Sequence, residues 1–141
     1  EMCIRDRNIY ERHRVLAEAT HAAVEVWSQA GTLSLNAIEP KERSTAVTTI
    51  LTDEGVDANM IRDVCRDEMM VGLGGGLGNL AGRAFRVGHM GDMNAPMLFA
   101  ALASIEATFR YLDIKFAPGG VTAAIEHVAQ SKKVGTGPFS Y

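Results

Sequence analysis

The chain has 141 residues, which is the usual size of one domain and is long enough to bury a hydrophobic core. Apolar residues make up 47% and charged residues 22%, a composition typical of a folded globular protein rather than a disordered one. The net charge of −3 gives no electrostatic basis for binding nucleic acid or an anionic membrane surface.

The sequence contains neither a recognisable membrane span nor a secretory signal. No apolar run approaches the ~20 residues that cross a bilayer, and charged residues stand where a signal peptide would need its apolar core. The two cysteines, Cys3 and Cys65, do not make a disulfide framework, so we expect a reducing, cytoplasmic environment. Cys65 falls on the apolar stripe of a predicted helix and is expected to be a small core residue.

The two ends of the chain are expected to differ from the rest. The sequence starts at Glu1 without a methionine, which suggests a piece of something longer, and residues 1–7 resemble translated adapter sequence from assembled sequencing reads. We therefore expect residues 1–7 to be a non-native leader. Residues 8–131 are expected to form the domain, and residues 132–141, which include Gly135, Gly137 and Pro138, a loosely ordered tail.

The first half of the chain predicts a helix followed by two strands. A helix is predicted over about residues 8–29, because Leu16, Ala23 and Trp27 fall on one face at helical spacing, and Gly31 ends it. The strands are predicted at residues 33–35 and 45–51, with a polar connection at residues 40–44 between them and an acidic turn at residues 53–55 after them.

The second half predicts three helices and two further strands. Asp57 is a candidate N-cap for a helix over residues 57–68, and Asn94, with Pro96 in the first turn, is the N-cap of the clearest helix in the sequence. The remaining predicted elements are a short strand at residues 69–71, a strand at residues 83–89 and a last helix at about residues 121–130. This order does not alternate as in a doubly wound fold, and it predicts an α+β layer with helices on one side of the sheet.

A glycine-crowded loop, residues 72–82, precedes the strand that carries Arg86. If residues 83–89 form a strand, Arg86 points away from the face that carries Phe85 and Val87. An arginine held on a strand beside a glycine loop, whose backbone no side chain covers, suits the binding of a small carboxylate. Its planar guanidinium group can donate two parallel hydrogen bonds to the two carboxylate oxygens. The alternative is a solvated arginine at a sheet edge, and the spacing alone favours that alternative.

A dinucleotide-binding loop is a weaker interpretation of the same glycines. Only Gly76-Leu77-Gly78-Asn79-Leu80-Ala81 fits the loose form of that motif, which must open a helix. The following residues are poor helix formers, since Gly82 and Gly88 flank a β-like run. A tight connection between two short strands explains the glycines about as well as close backbone approach to a ligand.

The string from Leu80 to Asn94 (LAGRAFRVGHMGDMN), together with the glycine loop before it, resembles the closing part of the class V aminotransferases that use pyridoxal phosphate. The serine–glyoxylate and alanine–glyoxylate group is most similar. Residues 46–51 before an acidic turn and residues 118–121 before a last helix add to the resemblance, which covers roughly residues 10–130.

The resemblance implies the small C-terminal domain of a fold-type I pyridoxal phosphate enzyme, with a short, mostly antiparallel sheet beside a larger cofactor domain. It implies that Arg86 binds the α-carboxylate of the substrate and that the full-length protein is a homodimer. It also implies amino transfer from serine or alanine to glyoxylate, with no nucleic acid or membrane as partner.

The residues that would carry the chemistry are not recognisable in this chain. A transaminase needs a lysine that forms a Schiff base with the cofactor, and none of the four lysines has a context resembling that lysine: Lys41, Lys115, Lys132 and Lys133. The four histidines show no metal-ligand spacing, and His89 is expected to make a structural hydrogen bond. We therefore expect no catalytic residue, no cofactor-binding residue and no metal ligand here, and no turnover by the fragment alone.

A second hypothesis belongs to a different functional class. The glycine loop and Arg86 could form a non-catalytic module that binds a small carboxylate or docks a partner protein. The identity of the amino donor is left open by the sequence.

Overall fold

The computed structural model describes residues 2–133, with side chains described from residue 6 to residue 131. The helices are α1 (Met2–Trp27), α2 (Ala58–Met69), α3 (Ala95–Tyr111) and α4 (Gly120–Lys133). The strands are β1 (Leu33–Leu35), β2 (Val47–Thr52), β3 (Gly74–Gly75) and β4 (Ala84–Gly88). Short 3₁₀ turns lie at Ser28–Ala30, Pro40–Glu42 and Gly78–Leu80.

The strands form one antiparallel sheet in the order β1-β2-β4-β3. In its centre Ile50 of β2 pairs with Phe85 of β4, and Thr49 pairs with Arg86. On the other side of β4, Gly74 pairs with Arg86, which makes β3 an edge strand. The predicted α+β class with an antiparallel sheet is confirmed.

The hydrophobic core lies on one face of this sheet. Ile50, Phe85 and Val87 are buried there, and the Phe85 ring meets the ring of Phe109 from α3 at a centroid distance of 6.3 Å. Residues on the opposite face, such as Thr49 and Arg86, are only half-buried. Helices therefore cover one face of the sheet and leave the other, which we call the open face, without a helical layer among the described residues.

One carboxylate, that of Glu106, connects α3 to both α1 and α4 by hydrogen bonds. Glu106 of α3 accepts a hydrogen bond from the indole Nε1 of Trp27 in α1 (2.8 Å) and from the backbone N–H of Val121 in α4 (3.3 Å). Gly120 lies so close to the indole that a Cβ at this position would stand 2.3 Å from Trp27 Nε1. Glu106 thus links the ends of three helices around a fully buried tryptophan.

The residues predicted to cap the helix starts and to end the first helix do so in the structure. Asp57 Oδ1 accepts from the backbone N–H of Asn59 at 2.8 Å, and Asn94 Oδ1 accepts from that of Met97 at 2.9 Å, so both are N-caps. Gly31 takes the left-handed conformation that ends the 3₁₀ turn after α1 (φ 86°).

The strand predicted at residues 69–71 is wrong. Met69 is the last residue of α2, and Met70 takes a left-handed backbone (φ 58°) as the C-cap of that helix. The backbone N–H of Val71 then donates to the carbonyl of Cys65 (3.0 Å), which continues the helix cap instead of a strand. The edge strand is formed by Gly74–Gly75, two residues whose strand propensity is low and whose pairing to β4 decides their conformation.

The ends of the chain also differ from the predicted bounds. Helix α1 begins at Met2, before the predicted start near residue 8, because residues 2–7 continue the helix. At the other end α4 reaches Lys133, two residues into the tail predicted at residues 132–141, and residues 134–141 lie outside the described residues.

Candidate substrate-binding site

Strand β4 places Arg86 on the open face of the sheet, as the sequence predicts. Phe85 and Val87 are buried on the helix-covered face, and alternation along the strand turns Arg86 to the other side. Thr49 of β2 and Gly74 of β3 are its neighbours across the sheet. Arg86 therefore lies on the part of the sheet that the domain's own helices leave uncovered.

The side chain of Arg86 is held by one hydrogen bond to the neighbouring strand. Its Nε donates to the carbonyl oxygen of Gly75 at 2.7 Å. Among the described residues, no carboxylate forms a salt bridge with Arg86 and no hydrogen bond engages its two Nη nitrogens. The guanidinium group is therefore oriented through Nε while its positive charge and its donor fork stay available to an anion.

The glycines of β3 make room for this arrangement. A Cβ at Gly74 would stand 3.1 Å from the Cβ of Arg86 and 3.3 Å from its Nε, so a side chain there would crowd the arginine. Gly76 is required by the loop itself, since a Cβ at that position would lie 2.0 Å from the carbonyl oxygen of Leu80. The glycines thus allow close approach of protein groups to one another.

The loop does not have the geometry of a dinucleotide-binding motif. After Gly76 the chain enters the 3₁₀ turn Gly78–Leu80 and then β4, and no helix begins there. The motif needs a helix N-terminus to receive a pyrophosphate. The weaker interpretation of the glycines is therefore excluded by the fold.

Arg62 on α2 also contacts β3 and the residue before it, which the sequence does not predict. Its Nε donates to the carbonyl of Leu73 (3.2 Å), and its Nη1 donates to Asn59 Oδ1 (3.1 Å). A Cβ at Gly75 would stand 2.9 Å from Nη1 of Arg62. No motif marks this residue, because only the packing of α2 beside β3 brings it to the strand.

His89 makes structural hydrogen bonds, as the sequence analysis expected. Its Nδ1 donates to the carbonyl of Thr45 (3.2 Å), which leaves Nε2 to accept from Thr48 Oγ1 (2.8 Å). Burial lowers the pKa of His89 to about 4, with a smaller effect from the neighbouring His21, whose ring centroid is 6.2 Å away. The neutral imidazole fixes the end of β4 against β2, next to the strand positions that carry Arg86.

The loop after β4 is anchored by α1. Arg12 Nη2 donates to the carbonyl of Gly91 (3.2 Å), and the backbone N–H of Gly91 donates to His13 Nε2 (3.2 Å). This pair of contacts fixes the connection between β4 and α3. It does not reach Arg86, which lies on the open face.

Two of the four lysines have described side chains, and both are exposed. Lys41 lies in the turn Pro40–Glu42, and Lys115 lies after α3. The side chains of Lys132 and Lys133 are outside the described residues.

Among the side chains that the structure describes, no group of three or more histidine, cysteine, aspartate or glutamate residues could hold a metal ion. Within residues 2–133, no helix has the length and apolarity that a membrane span requires.

Comparison with known proteins relates the chain to aminotransferases. It is 40% identical over 125 residues to serine–glyoxylate aminotransferase of Methylorubrum extorquens, with 88% of this chain and 30% of the relative aligned. It is 35% identical over 125 residues to L-aspartate–glyoxylate aminotransferase of Paracoccus denitrificans, with 88% of this chain and 31% of that protein aligned. No protein-family model matches the sequence.

Solved structures show the same relationship. The crystal structure of pyridoxamine–pyruvate aminotransferase from Mesorhizobium loti matches with a TM-score of 0.74 and 29% identity over 85% of this chain. Ureidoglycine–glyoxylate aminotransferase from Bacillus subtilis matches with a TM-score of 0.73 and 25% identity over 83% of this chain. Over more than four-fifths of its length, this chain is similar to the C-terminal domain of aminotransferases. The resemblance seen in the sequence is thereby confirmed.

The chain is shorter than the relatives it matches. It spans about 30% of the length of the Methylorubrum enzyme and 30% of the Mesorhizobium chain. The aligned part of these aminotransferases is thus a minority of each protein.

Proposed function

We propose that the chain is the C-terminal part of a pyridoxal phosphate-dependent aminotransferase that transfers an amino group from serine or alanine to glyoxylate. Its own share in that reaction is to bind the carboxylate of the substrate at Arg86. The observation that carries this proposal is the state of Arg86: Nε is fixed by the Gly75 carbonyl, and the Nη nitrogens are unpaired among the described residues.

One arginine can serve both substrates of such a reaction. The amino donor and the oxo acid acceptor each carry a carboxylate beside the carbon that exchanges its nitrogen. A guanidinium group binds a carboxylate through two parallel hydrogen bonds, which fixes the direction as well as the position of the substrate. Hydrogen bonds to a charged group contribute roughly 1.5–3 kcal/mol, which is enough to dominate the binding of a molecule as small as glyoxylate.

The surroundings of Arg86 favour a small anion over a larger charged ligand. Thr49 stands directly across from it on β2, and Gly74 stands across on β3, so its cross-strand neighbours carry no charge. A single cation among neutral neighbours matches the single carboxylate of glyoxylate or alanine. Glyoxylate as acceptor is supported by two relatives that are named for it, a serine–glyoxylate and an L-aspartate–glyoxylate aminotransferase.

The cofactor belongs to the remainder of the full-length protein in this proposal. The lysines with described side chains, Lys41 and Lys115, are exposed and do not fit a Schiff-base role. The larger part of the enzyme would then supply the cofactor and its lysine, while this domain supplies the carboxylate-binding arginine. We further propose that the full-length enzyme is a homodimer, as the family resemblance implies, and that it is cytoplasmic, as its two cysteines without a disulfide framework indicate.

The test begins with the coding DNA upstream of Glu1. We expect an in-frame extension that encodes a large α/β domain with a cofactor lysine. The protein encoded by the whole reading frame is then purified with pyridoxal phosphate and given glyoxylate with serine, alanine or aspartate. Formation of glycine with serine or alanine is the expected result. A folded, cofactor-loaded protein that forms no glycine from glyoxylate would overturn the proposal and favour a carboxylate-binding or docking module.

A further inference from the structure

The edge strand β3 lies between two arginine side chains that come from different elements. Gly74 and Gly75 point their missing side chains to opposite faces of the sheet, as alternation along a strand requires. A Cβ at Gly74 would meet Arg86 on the open face, at 3.1 Å from its Cβ. A Cβ at Gly75 would meet Arg62 on the other face, at 2.9 Å from its Nη1.

Both arginines also hold the strand by hydrogen bonds to consecutive parts of its backbone. Arg62 Nε donates to the carbonyl of Leu73 at 3.2 Å, just before β3. Arg86 Nε donates to the carbonyl of Gly75 at 2.7 Å, within β3. Arg62 is itself fixed on α2 through its Nη1, which donates to Asn59 Oδ1 at 3.1 Å. A continuous set of contacts therefore runs from α2 through the glycine strand to the guanidinium group of Arg86.

We propose that Arg62 is a positioning residue that orients Arg86 through strand β3. This inference rests on the proposed role of Arg86 in binding the substrate carboxylate. Arg62 itself does not touch the substrate, because it contacts the face of β3 opposite to Arg86.

The need for such a residue follows from the composition of the strand. Two glycines have no side chains to pack and more backbone freedom than any other residues. β3 is also at the edge of the sheet, so among the described residues only β4 pairs with it. The Gly75 carbonyl can orient Arg86 only if it stays in place. The glycines of β3 have no side chains to hold it there, and no second strand pairs with β3 among the described residues. The contacts of Arg62 supply this restraint.

The test uses the full-length enzyme with three single variants. Arg62→Ala removes the restraint, and Gly75→Ala displaces the guanidinium of Arg62, since the new Cβ would stand 3.0 Å from its Cζ. Arg66→Ala is the matched control on the same helix, because Arg66 is exposed and forms salt bridges with Asp63 and Asp67 instead of touching β3. The KM for glyoxylate, kcat and the inhibition constant of propionate are measured for each variant.

We expect KM for glyoxylate and the inhibition constant of propionate to rise together, by about three- to tenfold, in Arg62→Ala and Gly75→Ala. Saturating substrate recovers kcat, because the contact that is lost acts on carboxylate binding. The decisive contrast is the half-reaction with ethylamine, an amine that has no carboxylate, measured as a single turnover of the cofactor-loaded enzyme without any oxo acid acceptor. Its rate stays at the wild-type value in both variants if Arg62 acts through Arg86.

Two results would count against the inference. It is wrong if both variants keep the wild-type KM and inhibition constant. It is also wrong if ethylamine loses rate by the same factor as glyoxylate, since that marks general structural damage. If Arg62→Ala does not fold, Gly75→Ala decides alone, because it keeps Arg62 and α2. An Arg86→Ala variant with wild-type KM and inhibition constant would instead overturn the proposed function itself.

Discussion

The Nε of Arg86 and the carbonyl oxygen of Gly75 form a hydrogen bond of 2.7 Å between β4 and the edge strand β3. The donor Nε is the guanidinium nitrogen that is bonded to Cδ, so it lies nearest to the main chain. The two terminal nitrogens remain as a fork on the open face of the sheet. The geometry divides the group into a part that anchors it and a part that can bind an anion.

The anchoring bond predicts that Arg86→Lys retains only part of the function. Lysine presents one ammonium group, which cannot donate to Gly75 and also form two parallel bonds with a carboxylate. We expect kcat/KM for glyoxylate in the full-length enzyme to fall between the values for Arg86→Ala and the wild type. Steady-state kinetics of the three proteins check this. A lysine variant equal to wild type would show that the bidentate geometry has no importance.

The glycine loop predicts that two glycine-to-alanine substitutions have different effects on stability. In Gly76→Ala the new Cβ would stand 2.0 Å from the carbonyl oxygen of Leu80, and a backbone atom cannot move away as a side chain can. At Gly72 nothing lies within 4 Å of a new Cβ. We expect Gly76→Ala to lower stability by about 1–3 kcal/mol and Gly72→Ala to leave it nearly unchanged. Thermal unfolding of the two variants gives the comparison, and equal melting temperatures would contradict the loop geometry.

Buried His89 predicts a loss of stability on acidification. Burial lowers its pKa from 6.5 to about 4, so between these values the unfolded chain binds a proton that the folded chain does not. Stability is therefore fully present above about pH 6.5 and is lost as the pH falls towards 4, by at most roughly 3 kcal/mol. Burial also lowers the pKa of the adjacent His21, which acts in the same direction.

The variant His89→Gln isolates the contribution of this imidazole. It removes the titrating group, so its unfolding midpoint should depend less steeply on pH between 6.5 and 4 than that of the wild type. Thermal unfolding at several pH values measures the slope, which is informative even where the absolute stability is lowered. Identical slopes would show that His89 is not the source of the acid sensitivity.

The carboxylate of Glu106 predicts a stability effect far from the site. Glu106→Ala leaves the buried indole N–H of Trp27 without its acceptor, which costs about 1–3 kcal/mol. Glu106→Gln keeps an acceptor oxygen and should cost less. Glu126→Ala on α4 is the matched control, because Glu126 is exposed. Chemical denaturation measures all three, and a Glu106→Ala variant as stable as the control would refute the role of this contact.

Much of the fold could be predicted from the sequence because its signals are local. Asp57 and Asn94 cap the helices that follow them, since a cap depends on its own backbone and on the next few residues. The alternation of Phe85, Arg86 and Val87 likewise determines which side of β4 is buried. The residue proposed to bind substrate was found by this local pattern together with the family resemblance.

What the sequence did not reveal depends on tertiary contacts. Gly74 and Gly75 have no strand-forming side chains, and only pairing with β4 makes them a strand. The strand predicted at residues 69–71 is wrong because an apolar pair such as Met69 and Met70 does not distinguish a helix end from a strand. Arg62 carries no motif, and its contact with the glycine strand exists only because α2 packs beside β3.

The central claim is tested most directly by Arg86→Ala in the full-length enzyme, with the exposed Arg66→Ala as control. We predict that kcat/KM for glyoxylate falls by roughly 10- to 150-fold in Arg86→Ala, the loss of hydrogen bonds to a charged group. The loss should recur with every α-amino acid donor and be absent in Arg66→Ala. An Arg86→Ala enzyme within about twofold of wild type would contradict the assignment of the substrate carboxylate to this arginine.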